Sequence, residues 1–239
     1  MAIKGKVEKK ANQESSRRPN RIRRYKYLFL IICEDEKTEP LYFEKFREKF
    51  PDETLYLETV GTGKDPKGVV EQAIDEKIKL ETFAKKEVDE VWIVFDKDDA
   101  DANDTRINNF NEAFKMAKKE KFEVAYSNEV FELWLLLHLK NIEGDKPIPR
   151  NEIYQLLEVQ IQKTPKYSNY VYNHKKPNPQ TIEIIFEIGD VDLAIKRAKV
   201  LLAKKAGINP ISANPSTKVH LLVQQLNEWL KFYNFEPKN

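Results

Sequence analysis

Two stretches of the chain are apolar at consecutive positions for the length of a strand. Tyr27-Leu28-Phe29-Leu30-Ile31-Ile32-Cys33 and Val91-Trp92-Ile93-Val94-Phe95 are rich in β-branched and aromatic residues, the pattern of strands covered on both faces in a parallel sheet. Residues 55–60 and 122–126 read as two further strands. Between them the apolar period lengthens to that of a helix. Leu41, Phe43, Phe46 and Phe50 form one such face, opened by Pro40 and closed by Pro51. Val70, Ala73, Ile74, Ile78 and Phe83 form a second after Pro66, and Ile107, Phe110, Ala113, Phe114 and Ala117 a third after Asp104. Alternating strands and helices predict an α/β fold, a mainly parallel sheet flanked by helices.

Residues 130–139 are apolar nearly all round, which predicts a buried helix, with Ser127-Asn128-Glu129 read as its cap. Glu132 is conspicuous there, because a carboxylate in an apolar helix needs a partner; the simpler alternative is a first-turn acid satisfied by free amides. After Gly144 the strand signals stop. Helices are predicted at 150–160, 180–188 and 190–206, the last stopped by Gly207. Asn214-Pro215-Ser216-Thr217 is read as the cap and first turn of a final helix with Val219, Leu222, Val223, Leu226, Trp229 and Leu230 on one face. This divides the chain into a basic, disordered tail (1–21), an α/β domain (22–143) and a mostly helical C-terminal extension packed on it (144–239).

Charge changes this picture at one end. The net charge is only +2, but residues 1–26 carry ten Lys or Arg against Glu8 and Glu14, so that segment is +8 and the remainder −6. A basic arm of low hydrophobicity suits contact with nucleic acid as well as it suits a solubilising tail. Cys33 is the single cysteine, which excludes an internal disulfide and a thiolate zinc site. His138, His174 and His220 lack metal-ligand spacing. No window approaches the roughly 18 apolar residues of a membrane span, and no secretory signal pattern opens the chain; a cytoplasmic protein without a membrane contact is expected.

The candidate chemistry lies where the central strands end. The strand at 91–95 runs into Asp96-Lys97-Asp98-Asp99, and period-two geometry puts Asp96 and Asp98 on one side of an extended backbone, past the carboxyl end where open α/β sheets place ligands. Two hard oxygen ligands suit Mg²⁺ or Mn²⁺. The strand at 27–33 also ends in acid, Glu34-Asp35-Glu36, although a helix N-terminus alone would favour negative charge there. Gly61-Thr62-Gly63-Lys64 invites comparison with a phosphate-binding loop, but Glu58 stands where that motif needs glycine and Asp65 where it needs Ser or Thr; it is read as a flexible turn. Residues 163–176 interleave Lys163, Lys166, Lys175 and Lys176 with aromatics, a combination suited to phosphates and bases or to an ordinary surface loop.

Three linked signatures carry a resemblance. Cys33-Glu34-Asp35-Glu36-Lys37-Thr38-Glu39 with Tyr42-Phe43, then Phe95-Asp96-Lys97-Asp98, then Ser127-Asn128 with Phe131-Glu132-Leu133-Trp134 together resemble the RloB-like family, a branch of the Toprim-type fold. Asn214-Pro215-Ser216-Thr217 with Val219-His220 resembles that family's C-terminal pattern, so Thr38, Asn128, Ser216, Thr217 and His220 are supporting motif positions. Asp35 departs from the family's usual glycine and Glu129 from an expected proline. The resemblance implies that Glu34, Asp96 and Asp98 converge to bind Mg²⁺ or Mn²⁺ for phosphodiester chemistry, with Glu39 and Glu132 as the next candidates and Lys37 near the scissile phosphate. It also implies a nuclease effector or subunit of bacterial phage defence, acting on DNA or RNA beside an AAA-type or SMC-like ATPase. A non-catalytic interaction subunit is the alternative; nucleotidyl transfer is a third reading, without a glycine pattern to support it. The sequence leaves homo-oligomer formation open.

Overall fold

A computed structural model describes residues 22–174 and 179–234. The basic tail at 1–21 and Lys175 and Lys176 lie outside the described residues. Strands β1 (Tyr27–Cys33), β2 (Leu55–Gly61), β3 (Glu90–Asp96) and β4 (Glu123–Asn128) pair in parallel, and β5 (Ser216–Thr217) closes the sheet antiparallel to β4. The five-stranded order is β2-β1-β3-β4-β5. Helix α1 (Thr38–Arg47) follows β1, α2 (Pro66–Ala84) follows β2, and α3 (Asp104–Glu120) follows β3. Past β4 come α4 (Glu132–Leu139), α5 (Arg150–Gln162), α6 (Pro179–Ile188), α7 (Val191–Lys204) and α8 (Val219–Tyr233). The fold is the mixed α/β arrangement that the apolar pattern predicts, with a helical C-terminal part. Among the described residues no helix is long and apolar enough to cross a membrane.

The alternation of β1 divides the interior in two. Phe29, Ile31 and Cys33 face one side, against Tyr42, Phe43 and Phe46 of α1 and the apolar faces of α4 to α8. Leu28, Leu30 and Ile32 face the other, against Val69, Val70 and Ala73 of α2 and Phe110, Ala113 and Ala117 of α3. Both faces of β1 and β3 are thus covered, which is why their sequences are continuously apolar. Full burial of each such side chain contributes roughly 1.5–3 kcal/mol. Helix α4 lies in the interior for nearly all its length: Leu133 to Leu137 are all fully buried.

The local starts and stops have identifiable causes. Asp65 caps α2 by accepting from the Gly68 N–H at 3.0 Å, and Asn103 caps α3 by accepting from the Arg106 N–H at 3.0 Å. Both helices end on lysines in left-handed conformation, Lys85 and Lys121.

Four expectations need correction. Helix α1 stops at Arg47, before Phe50. Ser127 and Asn128 do not cap α4 but end β4, where they pair with Thr217 and Ser216; α4 begins at Glu132 without a side-chain cap. Asn214-Pro215-Ser216-Thr217 is not a helical first turn either, because it enters the sheet as β5 and α8 starts only at Val219. A two-residue strand has too short an apolar pattern to announce itself, and what makes it a strand is a partner far away in sequence. Its fixings are correspondingly non-local: Ser127 Oγ lies 3.1 Å from Thr217 Oγ1, and Asn128 Nδ2 donates to the Pro210 carbonyl at 2.8 Å. The glycine loop after β2 is not a free turn. The Thr62 N–H donates to the Cys33 carbonyl at 3.0 Å and the Gly63 N–H to the Glu34 carbonyl at 2.8 Å. A Cβ on Gly61 would meet the backbone of Glu36 at 2.5 Å, so glycine is what lets the loop lie against the acidic turn.

Candidate functional site at the carboxyl ends of the strands

Parallel pairing sets the acidic residues beside one another. Cys33 is level with Val94 and Asp96 with Ser127, so the residues leaving β1 and β3 emerge at the same edge. The Asp96 N–H donates to Glu34 Oε2 at 2.8 Å, tying the two strand ends together. Asp96 in turn accepts from the Phe131 N–H through Oδ2 at 2.9 Å. Its Oδ1 is buried and has no hydrogen-bond partner. Asp98 does not continue an extended strand, as period-two spacing assumed: its φ is +42°, and its N–H is held by the Glu129 carbonyl at 3.0 Å. The backbone turns sharply after Lys97, yet Asp98 still opens onto the same space as Asp96.

That space has two parts. In front lies a cleft of about 640 Å³ lined by Glu34, Asp96 and Asp98 with the cationic Lys64, Lys97 and Arg106. Behind lies a recess of about 200 Å³ shared by Asp96 and Asp98 with Glu39, Glu132 and aromatic side chains. The sequence candidates Glu34, Asp96 and Asp98 are therefore brought to one cleft, and Glu39 and Glu132 to the adjoining recess. Thr38 and Asp35 also line the recess. Asp35 turns its carboxylate back to accept from the Thr38 N–H at the start of α1.

The electrostatics are unfavourable by construction. Burial pushes the Glu34 carboxyl up to about 8, against the opposing hydrogen bond from the Asp96 N–H, and the negative charges of Asp98, Asp65 and Asp35 add to the rise. Burial raises Asp96 well above the usual carboxylate range, reinforced by Glu39, Asp98, Glu34 and Glu132. Glu39, fully buried, is raised for the same reasons, Glu34 being its strongest charged neighbour. Like charges withdrawn from water hold one another protonated unless a cation joins them. Part of that cation is supplied by the protein. Arg150, at the start of α5, reaches Asp98 Oδ1 at 3.4 Å and Glu129 Oε2 at 3.9 Å and bonds Asp99 as well; burial still raises the Asp98 carboxyl, and Arg150 opposes that rise. Lys97, buried, pairs with Asp101 at 2.8 Å and Glu129 at 3.4 Å. Among the described residues no three His, Cys, Asp or Glu side chains are already drawn together as a metal-binding group.

Other candidates are placed elsewhere. Lys37 is exposed on the turn before α1 and lines neither space. Lys163 donates to Gln160 at 3.0 Å, and Lys166 is bound to Glu187 through both carboxylate oxygens. Ser216, Thr217 and His220 are buried and hold β5 against β4 and α8: the Val219 N–H donates to Thr217 Oγ1 at 3.2 Å. Glu132 receives the Tyr172 hydroxyl, so its partner is a residue from the loop between α5 and α6 rather than free helix amides alone. Sequence reasoning missed Arg150 and Tyr154. The one local signal for Arg150 is its position: an arginine in the first turn of a helix runs against the macrodipole unless acids face it.

The model of the RloB-like protein family matches residues 29–226. The chain belongs to the RloB-like family. The match runs from β1 into α8, so it takes in both strand ends, Arg150 and β5. Searches of the curated proteins and of the solved structures find no match.

Proposed function

We propose that this RloB-like chain is a metal-dependent phosphodiesterase acting on nucleic acid, with Asp96 and Asp98 holding Mg²⁺ or Mn²⁺ and Glu34 beside them. The observation that carries the reading is Asp96 Oδ1, a carboxylate oxygen buried without a hydrogen-bond partner among other acids at the end of a central strand. Such an oxygen is costly in the free protein and is a donor of the hard class these ions take. A ready-made cage is not required, since Mg²⁺ keeps several waters and uses one or two protein carboxylates. The bound ion would neutralise charge on phosphoryl oxygens and activate water.

The protein's own groups divide the remaining work. Glu34 Oε2 is anchored by the Asp96 N–H, leaving Oε1 to take the proton of an attacking water once a bound cation has lowered the carboxyl toward its charged form. Lys64 and Arg106 on the wall of the front cleft attract and orient the phosphodiester. Glu39 and Glu132, in the recess behind, add negative charge beside Asp96 and so strengthen its demand for a cation. The Toprim-type assignment, and a role as effector or subunit of a bacterial anti-phage system beside an AAA-type or SMC-like ATPase, extend this reading from the family resemblance.

A specific observation favours a second reading, a non-catalytic subunit that docks such a partner. Arg150 already neutralises Asp98 and Asp99, as a structural cation would. Calorimetric titration of Mn²⁺ and Mg²⁺ into wild type and the Asp96→Asn, Asp98→Asn double variant separates the two. Binding that vanishes in the folded double variant supports the phosphodiesterase; no binding to wild type removes it.

A further inference from the structure

The two spaces flanking Asp96 differ in a way that the phosphodiesterase reading does not use. The front cleft carries Lys64, Lys97 and Arg106 among its lining residues. The rear recess carries Asp35, Glu39, Asp96, Asp98 and Glu132 and neither lysine nor arginine. A phosphate is repelled there. What the recess offers instead is ring surface. Tyr172 lies against Tyr154 with centroids 5.4 Å apart, and Tyr154 lies parallel to His174, 5.1 Å away at an interplanar angle of 4°. All three line the recess. Val130 and Phe131 complete an apolar side, while the Thr181 hydroxyl, 2.6 Å from the Tyr170 hydroxyl, and the Glu132 carboxyl place hydrogen-bonding atoms at its edge.

We infer that the recess between α4, α5 and α6 is a nucleobase subsite, which takes one unpaired base next to the phosphodiester held in the front cleft and so selects single-stranded or locally unstacked nucleic acid. The inference deepens the phosphodiesterase reading and rests on it for the placement of the phosphate. An uncharged planar ring can extend the Tyr172–Tyr154–His174 series, and stacking of that kind is tolerant of sequence because every base has a π-face. A volume of about 200 Å³ has room for a base and not for a base pair. Asp96 and Asp98 line both spaces, so a nucleotide whose base enters the rear has its phosphate delivered to the front. A duplex would have to give up a pair to bind in this way.

The test is fluorescence anisotropy on the full chain, with Ca²⁺ present and cleavage followed on a gel. The probes are a labelled thymidine strand of about twelve nucleotides, a strand of the same length made of abasic sites, and the thymidine strand annealed to its complement. Wild type is expected to bind the base-bearing single strand roughly 5- to 150-fold more tightly than the abasic one, the range that stacking of one base supplies. The annealed duplex is expected to bind more weakly than the single strand. Tyr154→Leu should lose most of that preference and Tyr154→Phe, which keeps the ring, should retain it. His174→Ala, at an exposed position where folding is not at risk, should reduce it several-fold. Equal affinity for abasic and base-bearing strands, equal affinity for duplex and single strand, or a Tyr154→Leu variant indistinguishable from wild type overturns the subsite. Mn²⁺ calorimetry on the same variants keeps the two failures apart. Cation binding that persists without base dependence sinks the subsite alone; base- and Tyr154-dependent affinity in a chain that binds no Mn²⁺ sustains the subsite and sinks the phosphodiesterase.

Discussion

Buried polar groups are treated in opposite ways at two places in this molecule. On the helical side of the sheet the buried histidines and Thr181 are matched, while the indole N–H groups of Trp134 and Trp229 are not. His138 Nδ1 stands 2.9 Å from the Trp134 carbonyl and Nε2 3.1 Å from the Tyr42 hydroxyl; a carbonyl only accepts, so Nδ1 carries the proton and Nε2 accepts from Tyr42. His220 likewise donates from Nδ1 to the Thr217 carbonyl at 3.0 Å, and Thr181 is paired with Tyr170. At the carboxyl ends of β1 and β3 the reverse holds. Asp96 Oδ1 has no partner, and burial raises the carboxyl groups of Glu34, Glu39 and Asp96, with neighbouring acids adding to the rise. The helical side is arranged for stability, and the strand ends bear a strain that only an added cation or proton relieves. Natural folds concentrate such violations at functional sites.

The sharpest way to break this contrast is at Asp96. Asp96→Ala should lower metal-dependent cleavage ~10²- to 10³-fold, the scale of a lost electrostatic group in a preorganised site, measured as initial rates on a labelled strand. In the absence of divalent ions Asp96→Asn should do something a core substitution does not: raise stability by about 1–3 kcal/mol, because an amide replaces an unsatisfied carboxylate among acids. Chemical denaturation in EDTA measures it. An Asp96→Asn variant less stable than wild type would mean that the carboxylate is already satisfied and the strain is not there.

The two regions also titrate with opposite sign. Glu34 moves from 4.5 to about 8 on folding, so its contribution to the metal-free fold is complete below about pH 4.5 and is lost as pH rises through 8. His138 and His220 move from 6.5 to about 4 under burial, so theirs is complete above about pH 6.5 and is lost as pH falls through 4. Denaturant midpoints of the metal-free protein should be highest near pH 6.5 and fall toward pH 8 on one side and toward pH 4 on the other. Glu34→Gln should flatten the alkaline limb alone and His138→Gln the acid limb alone. If either variant flattened both limbs, the two regions would be coupled rather than separate.

The same contrast explains what could be read in advance. The continuous apolar runs of β1 and β3 and the helical period of α2 and α3 are local patterns, and the acids that end the strands are visible because they interrupt those patterns. Parallel register then brings Glu34 and Asp96 together with little further information. The rear recess was legible only in its pieces, Glu39, Glu132 and the aromatic stretch at 163–176, and not in their meeting. Tyr154 and Tyr172 face the strand ends only because α5 and the loop after it fold back across α4, and β5 exists only as a partner of β4. A tyrosine at helical spacing looks the same in sequence whether it fills a core or walls a cavity. Asp98 shows the limit within a motif: its spacing from Asp96 is as expected, but its left-handed backbone reaches the cleft by a turn.

A smaller effect sharpens the boundary between structural and added cation at Arg150. Arg150→Gln removes the guanidinium from Asp98, Asp99 and Glu129, and these partly exposed pairs are worth no more than about 1 kcal/mol each. The same change frees Asp98 oxygens. Mn²⁺ affinity by calorimetry should therefore rise several-fold as stability falls slightly. A loss of Mn²⁺ binding would instead make Arg150 the fixed cation on which the carboxylate arrangement depends, and would favour the docking-subunit reading.

The smallest effect concerns lysines and arginines at the surface, which the sequence cannot rank. Lys166 is neutralised by Glu187 in the loop after α5, whereas Arg106 stands on the wall of the front cleft, 3.9 Å from Asp99. Each phosphate contact adds about 0.7 to the slope of log affinity against log salt for a single strand. Arg106→Ala should reduce that slope by about one contact, while Lys166→Ala should leave it unchanged. The measurement is a salt titration of strand binding for each variant. Equal slopes for Arg106→Ala and wild type would move the phosphate out of the front cleft, and with it the argument that the carboxylates in that cleft act on a phosphodiester.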